Sequence, residues 1–131
     1  MTPRDQAWLD DAVDAFDLLY FSGALAEKHV SARWHKFRTR GTSTRFGQCY
    51  LDTMRIEINV VLSQEWVPTY FVLDVMHHEL LHALLGPHHD HAFRLCEMRF
   101  AHHAKAAVWE AYNEGLVIAA SAELCKRRPK A

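Results

Sequence analysis

The sequence predicts an α+β fold, on three observations. A helical apolar period opens the chain, strictly alternating runs follow, and the helical period returns for the remainder. The architecture expected is an N-terminal helix, a three-stranded antiparallel sheet, a central helix carrying a histidine-rich motif, and one or two C-terminal helices.

Each element has its own signal. From Arg4 to Phe21 the apolar residues Leu9, Val13, Phe16 and Tyr20 recur at helical spacing, with Asp10, Asp11, Asp14 and Asp17 mostly off that stripe; Ser22-Gly23 ends the pattern. Val30, Ala32 and Trp34 then alternate with Ser31, Arg33 and His35 as in a half-buried strand. After the polar segment Thr39 to Ser43, a second run places Phe46 and Tyr50 on one face, and Asp52-Thr53 reads as a hairpin turn. The third run, Ile56, Ile58, Val60 and Leu62 against Arg55, Glu57 and Asn59, is the clearest strand. Short connections between the three imply antiparallel pairing. A helix is expected from Pro68, with Thr69 as a cap, to Leu85, where Gly86-Pro87 stops it. Another starts at Asp90 and runs to about His102. Ala104 to Leu124 is alanine-rich and helical in pattern, although Gly115 and the run Leu116 to Ala120 admit a strand.

Bulk properties bound the function. The 131 residues are half hydrophobic, enough for one core, so residues 1–125 read as a single domain and 126–131 as a basic disordered tail. No apolar stretch of about 18 residues is present to span a bilayer, and the first residues lack the apolar segment of a secretory signal. Cys49, Cys96 and Cys125 are odd in number and form no C-x-x-C pair, which suits free thiols in a reducing cytoplasm. A net charge of -1 excludes a generally basic protein, but Arg33, Lys36, Arg38, Arg40 and Arg45 cluster in one segment. Trp34, Phe37 and Phe46 interleave with them, a composition suited to phosphates and stacked bases, and equally to a solvated strand-and-turn surface.

Of the ten histidines, five fall between His77 and His89. Within the central helix stands His78-Glu79-Leu80-Leu81-His82. Four residues are just over one helical turn, so both imidazoles project from one face as a two-point metal clamp. Glu79 stands where a general base reaches a water beside the metal without ligating it. A catalytic zinc takes three protein ligands and keeps one open position, so a third ligand is expected just past the helix, among His88, His89 and His91. His88 is separated from His82 by five residues, as in the metzincin pattern, but Leu85 occupies that pattern's glycine. His77 points about 100° away from His78 and reads as a packing or surface histidine.

The element His89-Asp90-His91-Ala92-Phe93 resembles the one that follows the H-E-x-x-H helix in SprT-like metallopeptidases. Tyr20-Phe21-Ser22-Gly23-Ala24-Leu25 is similar to the family's ending of the first helix, and Trp34, Gly47 and the strand Arg55 to Ile58 fall in family order. The resemblance covers about Leu9 to Phe100. It implies His78, His82 and His89 as zinc ligands, one zinc ion per chain and Glu79 as the base of peptide hydrolysis. It also implies a protein or peptide substrate, in particular protein crosslinked to DNA, with single-stranded DNA as a partner; no membrane partner is expected, since no apolar span is present. Asp90 replaces the family's usual glycine; it either caps the next helix or accepts a hydrogen bond from a ligating imidazole. Two other readings stand beside this one: a metallopeptidase whose substrate is unrelated to DNA, and a non-catalytic zinc- or nucleic-acid-binding module closed by His88 or His91 as a fourth ligand.

Overall fold

The structure, a computed structural model, describes residues 3–40 and 43–126. It begins with α1 (Gln6–Phe16), whose N-cap Asp5 accepts a hydrogen bond from the Trp8 amide at 2.9 Å. Leu9, Val13 and Phe16 form its buried stripe. The helix then widens into a π-helical turn, Asp17–Phe21, before Ser22 and Gly23 take positive φ and stop it. Asp17 is buried because its carboxylate caps the next short helix, α2 (Ala24–Glu27), accepting from the Leu25 and Ala26 amides at 2.8 and 3.0 Å.

Three strands follow: β1 (Ser31–His35), β2 (Gly47–Tyr50) and β3 (Arg55–Asn59). The sheet is mixed, with order β1-β3-β2, and this corrects the expected antiparallel arrangement. The turn after Tyr50 does make β2 and β3 an antiparallel hairpin. β1, however, pairs in parallel with β3, Ala32 opposite Ile56 and Trp34 opposite Ile58. The segment between His35 and Gly47 is long enough to carry the chain past β3 to its far side, a crossover that a parallel neighbour requires.

β3 is also shorter than its alternation implies, because Asn59 turns the chain. Its side-chain oxygen accepts from the Val61 amide at 3.0 Å and starts a 3₁₀ turn, Val60–Ser63. Its amide nitrogen donates to the Arg45 carbonyl at 2.9 Å and to Ser121 Oγ at 3.1 Å, while its backbone N–H donates to the Phe46 carbonyl at 2.8 Å. Asn59 is 1% exposed, so these partners replace water entirely. Asn59→Ala is expected to cost about 2 kcal/mol in chemical denaturation, since one truncation orphans several buried groups; a change under about 0.5 kcal/mol would mean the network is energetically idle.

The central helix α3 (Thr69–Leu85) packs against β2, β3 and the last helix. Ten of its residues are buried, from Phe71 to Ala83, as expected of a helix enclosed on most sides. Pro68 precedes it with extended backbone and no side-chain cap. Thr69, expected as the cap, instead accepts from the Arg4 guanidinium at 2.9 Å, and Arg4 also binds the carbonyls of Leu62, Gln64 and Val67. Helix α4 (His91–Glu97) is shorter than the expected span to His102, giving way to turns before α5 (His103–Lys126). α5 runs unbroken through Gly115 and Leu116 to Ala120, so no strand forms there. The roughly 1 kcal/mol cost of a helical glycine is outweighed by good helix formers around it and by burial of Val117 and Ser121 one turn apart. Lys126 belongs to this helix; the rest of the expected tail lies outside the described residues. The main core joins Leu9, Phe16, Ile56, Ile58, Phe71, Met76, Leu80 and Val117. Among the described residues, no helix is long and apolar enough to cross a membrane.

Candidate metal centre

α3 presents His78 and His82 one turn apart, and the chain reversal behind it supplies a third ring. Gly86 ends the helix at φ 94°, a conformation that favours glycine, and its N–H bonds the His82 carbonyl at 2.9 Å. The chain then doubles back, and His89 Nε2 stands 2.9 Å from His82 Nε2 and 3.2 Å from His78 Nε2. His78, His82 and His89 are the one group of this kind among the described residues, their ligating atoms all within 4.8 Å of one another. His88 and His91 are exposed and outside it.

The outer nitrogens decide what those rings offer. His82 Nδ1 donates to the Gly86 carbonyl at 2.9 Å, and His78 Nδ1 donates to the Glu97 carboxylate. With those protons committed, both Nε2 atoms carry lone pairs aimed at the point His89 Nε2 also faces. A tetrahedral ion with nitrogen ligands at about 2.0–2.1 Å sets neighbouring nitrogens about 3.3 Å apart, close to the spacings found. The donor set, its tautomers and its spacing therefore fit a divalent transition-metal ion with one position left open. Phe93 of α4 supports the cluster from below, with ring centroids 4.6 to 5.1 Å from all three imidazoles.

Asp90 is resolved by the same helix. Its carboxylate accepts from the Phe93 amide at 2.9 Å and caps α4. The acceptor for a ligand-type imidazole is Glu97, one turn beyond Phe93. Desolvation alone would depress the His78 imidazole, but the Glu97 hydrogen bond and the charges of Glu79, Glu97 and Asp74 outweigh it and raise it above the ordinary histidine range. The same hydrogen bond holds the Glu97 carboxyl below its ordinary range.

Glu79 is 8% exposed and lies at the junction of two clefts. One, about 330 Å³, is walled by the three histidines and by β2; the other, about 310 Å³, opens toward α5 and is walled by Asp74, Glu97, His103 and Glu110. Burial pushes the Glu79 carboxyl up to about 7, with His78 and Arg45 opposing; a bound cation would add to that opposition. Gly47 of β2 presses directly on this side chain: a methyl group there would stand 2.8 Å from Glu79 Cγ and 3.0 Å from Oε2. Only a glycine lets the strand approach so closely. Cys49, two residues on, has its thiol pushed up to about 11 by burial and then by Glu79, so it is a neutral thiol rather than a nucleophile. His77 is 1% exposed among Phe16, Tyr20, Phe21 and Phe100, a packing residue that burial keeps neutral by lowering it to about 4. His103 is bound to Asp74 at 2.8 Å, away from the triad.

Of the basic residues, Arg33, Lys36, Arg38, Arg40 and Arg45 are all exposed, but the aromatics between them face inward. Trp34 stacks on Trp8 at 6.3 Å, Phe37 is buried, and Phe46 meets Phe71 edge-on at 5.7 Å. Phe37 is thus withdrawn from solvent, while Trp34 and Phe46 remain half-buried.

Residues 9–115 match the SprT-like family, and the chain belongs to it. No curated protein and no solved structure gives a significant match.

Proposed function

We propose that this protein is a zinc-dependent peptidase in which His78, His82 and His89 hold the ion and Glu79 is the general base. The observation that carries the reading is the pairing of three convergent imidazole lone pairs with a buried carboxylate in the same cleft. A purely structural zinc site has no use for a base and is normally closed by a fourth protein ligand. When bound, zinc supplies Lewis acidity toward a substrate carbonyl and toward water. Glu79 takes the proton of the attacking water at its carboxylate and returns it to the departing amine nitrogen, so that one water is consumed for each peptide bond cut. Gly47 packs against the carboxylate from the side, which limits the positions it can take during both transfers.

The cleft admits extended chain, because β2, which forms one wall, is an edge strand of the sheet. We assign protein or peptide as the substrate class, with protein crosslinked to DNA as the preferred form. The support is family membership together with the exposed cations running from Arg33 to Arg45, the last of which reaches the cleft itself.

The test compares zinc-loaded and chelator-treated protein on one unstructured protein substrate, free and crosslinked to single-stranded DNA. Zinc-dependent cleavage of both forms, faster on the crosslinked one, is the expected result. Equal cleavage of both forms would remove DNA from the reading, and zinc binding without cleavage of either would leave a metal-binding module instead of a peptidase.

A further inference from the structure

Arg45 is an arginine whose charge is taken up by no salt bridge among the described residues. Its guanidinium donates to Gln48 Oε1, a neutral group. Its backbone, by contrast, is fixed. Asn59 holds the Arg45 carbonyl at 2.9 Å and the Phe46 carbonyl at 2.8 Å, and β2 begins immediately afterwards. Arg45 lines both clefts that meet at Glu79. A chain lying across Glu79 from one cleft to the other passes this residue.

Apart from the histidines and Glu79, the cleft over the triad is lined by Arg45, Gly47, Gln48, Cys49, Leu51 and Pro87. Peptide hydrolysis by attack of water builds negative charge on the carbonyl oxygen, and a donor already in place for that charge is commonly the largest single contribution a side chain makes to such a reaction. Gly47, Leu51 and Pro87 have no side-chain donor, and Cys49 offers a weak one. Gln48 is neutral, and its amide is turned to Arg45 as an acceptor. A charged donor makes hydrogen bonds about twice as strong as a neutral one, and Arg45 is the residue of this wall that carries a permanent charge.

We propose that Arg45 is a catalytic residue, its guanidinium donating to the scissile carbonyl oxygen as that oxygen becomes anionic. This role rests on the peptidase reading and differs from the nucleic-acid contact that the clustering of basic residues predicts for Arg45. No bond is made or broken at Arg45; the proton movements remain those of Glu79.

The experiment uses the full chain, zinc-loaded, as wild type, Arg45→Gln and Arg45→Lys. Three quantities are measured: kcat and KM on a free unstructured peptide, bound zinc, and affinity for a phosphinic peptide, whose tetrahedral anion mimics the charge in question. Arg45→Gln is expected to lower kcat about 10²–10³-fold with KM within threefold and zinc content unchanged. Affinity for the phosphinic peptide should fall by about 10²-fold, and Arg45→Lys should recover part of both losses. Phosphinic-peptide affinity equal in wild type and Arg45→Gln, with peptide turnover within threefold, would overturn the role while leaving the peptidase intact. A loss seen only on DNA-crosslinked substrate would return Arg45 to nucleic-acid contact. A wild type that binds zinc but neither cuts peptide nor holds the phosphinic peptide would overturn the peptidase reading and this role with it.

Discussion

Glu79→Gln is expected to retain one zinc per chain and to lose peptide hydrolysis by at least about 10³-fold, within the range a positioned general base contributes. Glutamine has the same shape, so it fits beneath Gly47, where the space around Glu79 Cγ and Oε2 is already closed. It also removes a charge from a site that is 8% exposed. Because burying a carboxylate is unfavourable, the metal-free variant is expected to melt no lower than wild type, and any gain would mark Glu79 as kept for chemistry at some expense in stability. His82→Ala should behave oppositely, losing zinc and activity together. Zinc content by atomic absorption, thermal melting and peptide turnover, measured on both variants, separate the roles. Turnover by Glu79→Gln near the wild-type rate would sink its assignment as base.

How much of this could be read from residues alone depended on whether the signal was local. The third strand and the central helix were readable because an alternating or helical period is carried by each residue and its near neighbours, as in Ile56 and Ile58 or in Val72, Met76 and Leu80. Strand order is not carried that way. β1 joins β3 by a crossover of the segment after His35, and nothing in the alternation of Ala32 and Trp34 distinguishes that partner from β2. The placement of Trp34, Phe37 and Phe46 was hidden for a related reason: composition does not show that Trp8 and Phe71, distant in sequence, pack against two of these rings. The ends of elements were missed where one side chain redirects the backbone, as Asn59 does after β3 and Asp17 does before α2. At the site, helical spacing placed His78 and His82 together, and Gly86 marked the reversal that returns His89. Gly47 stood out in the sequence only by its place in the family's order, and its physical reason is contact with Glu79 across the sheet-helix interface. Glu97 was overlooked although a signal existed. It lies four residues after Phe93, hence on the same face of a helix already known to follow the third histidine.

That carboxylate supports the second large prediction. His78 can offer Nε2 to a metal only in the tautomer whose proton is on Nδ1, and Glu97 is the group that binds that proton. Glu97 is itself a product of how α4 is placed: Asp90 caps the helix, Phe93 seats it against the three rings, and one further turn brings the carboxylate to His78. Removing it leaves the ligand rings in place but frees the orientation and tautomer of one of them and withdraws a negative charge that makes it a better donor. Glu97→Ala is therefore expected to weaken zinc binding about 10–100-fold, read by competition with a chromophoric chelator. Glu97→Gln, which keeps an acceptor oxygen without the charge, should fall between. The His78 side chain is 30% exposed, so water can replace the lost partner and the metal-free protein should melt near wild type. The decisive comparison is thus affinity against stability. Equal zinc affinity in Glu97→Ala and wild type would show that the His78 ring is held by Phe93 and the helix alone, whereas a matched loss of affinity and melting temperature would reduce Glu97 to a packing role at the junction of α3 and α4.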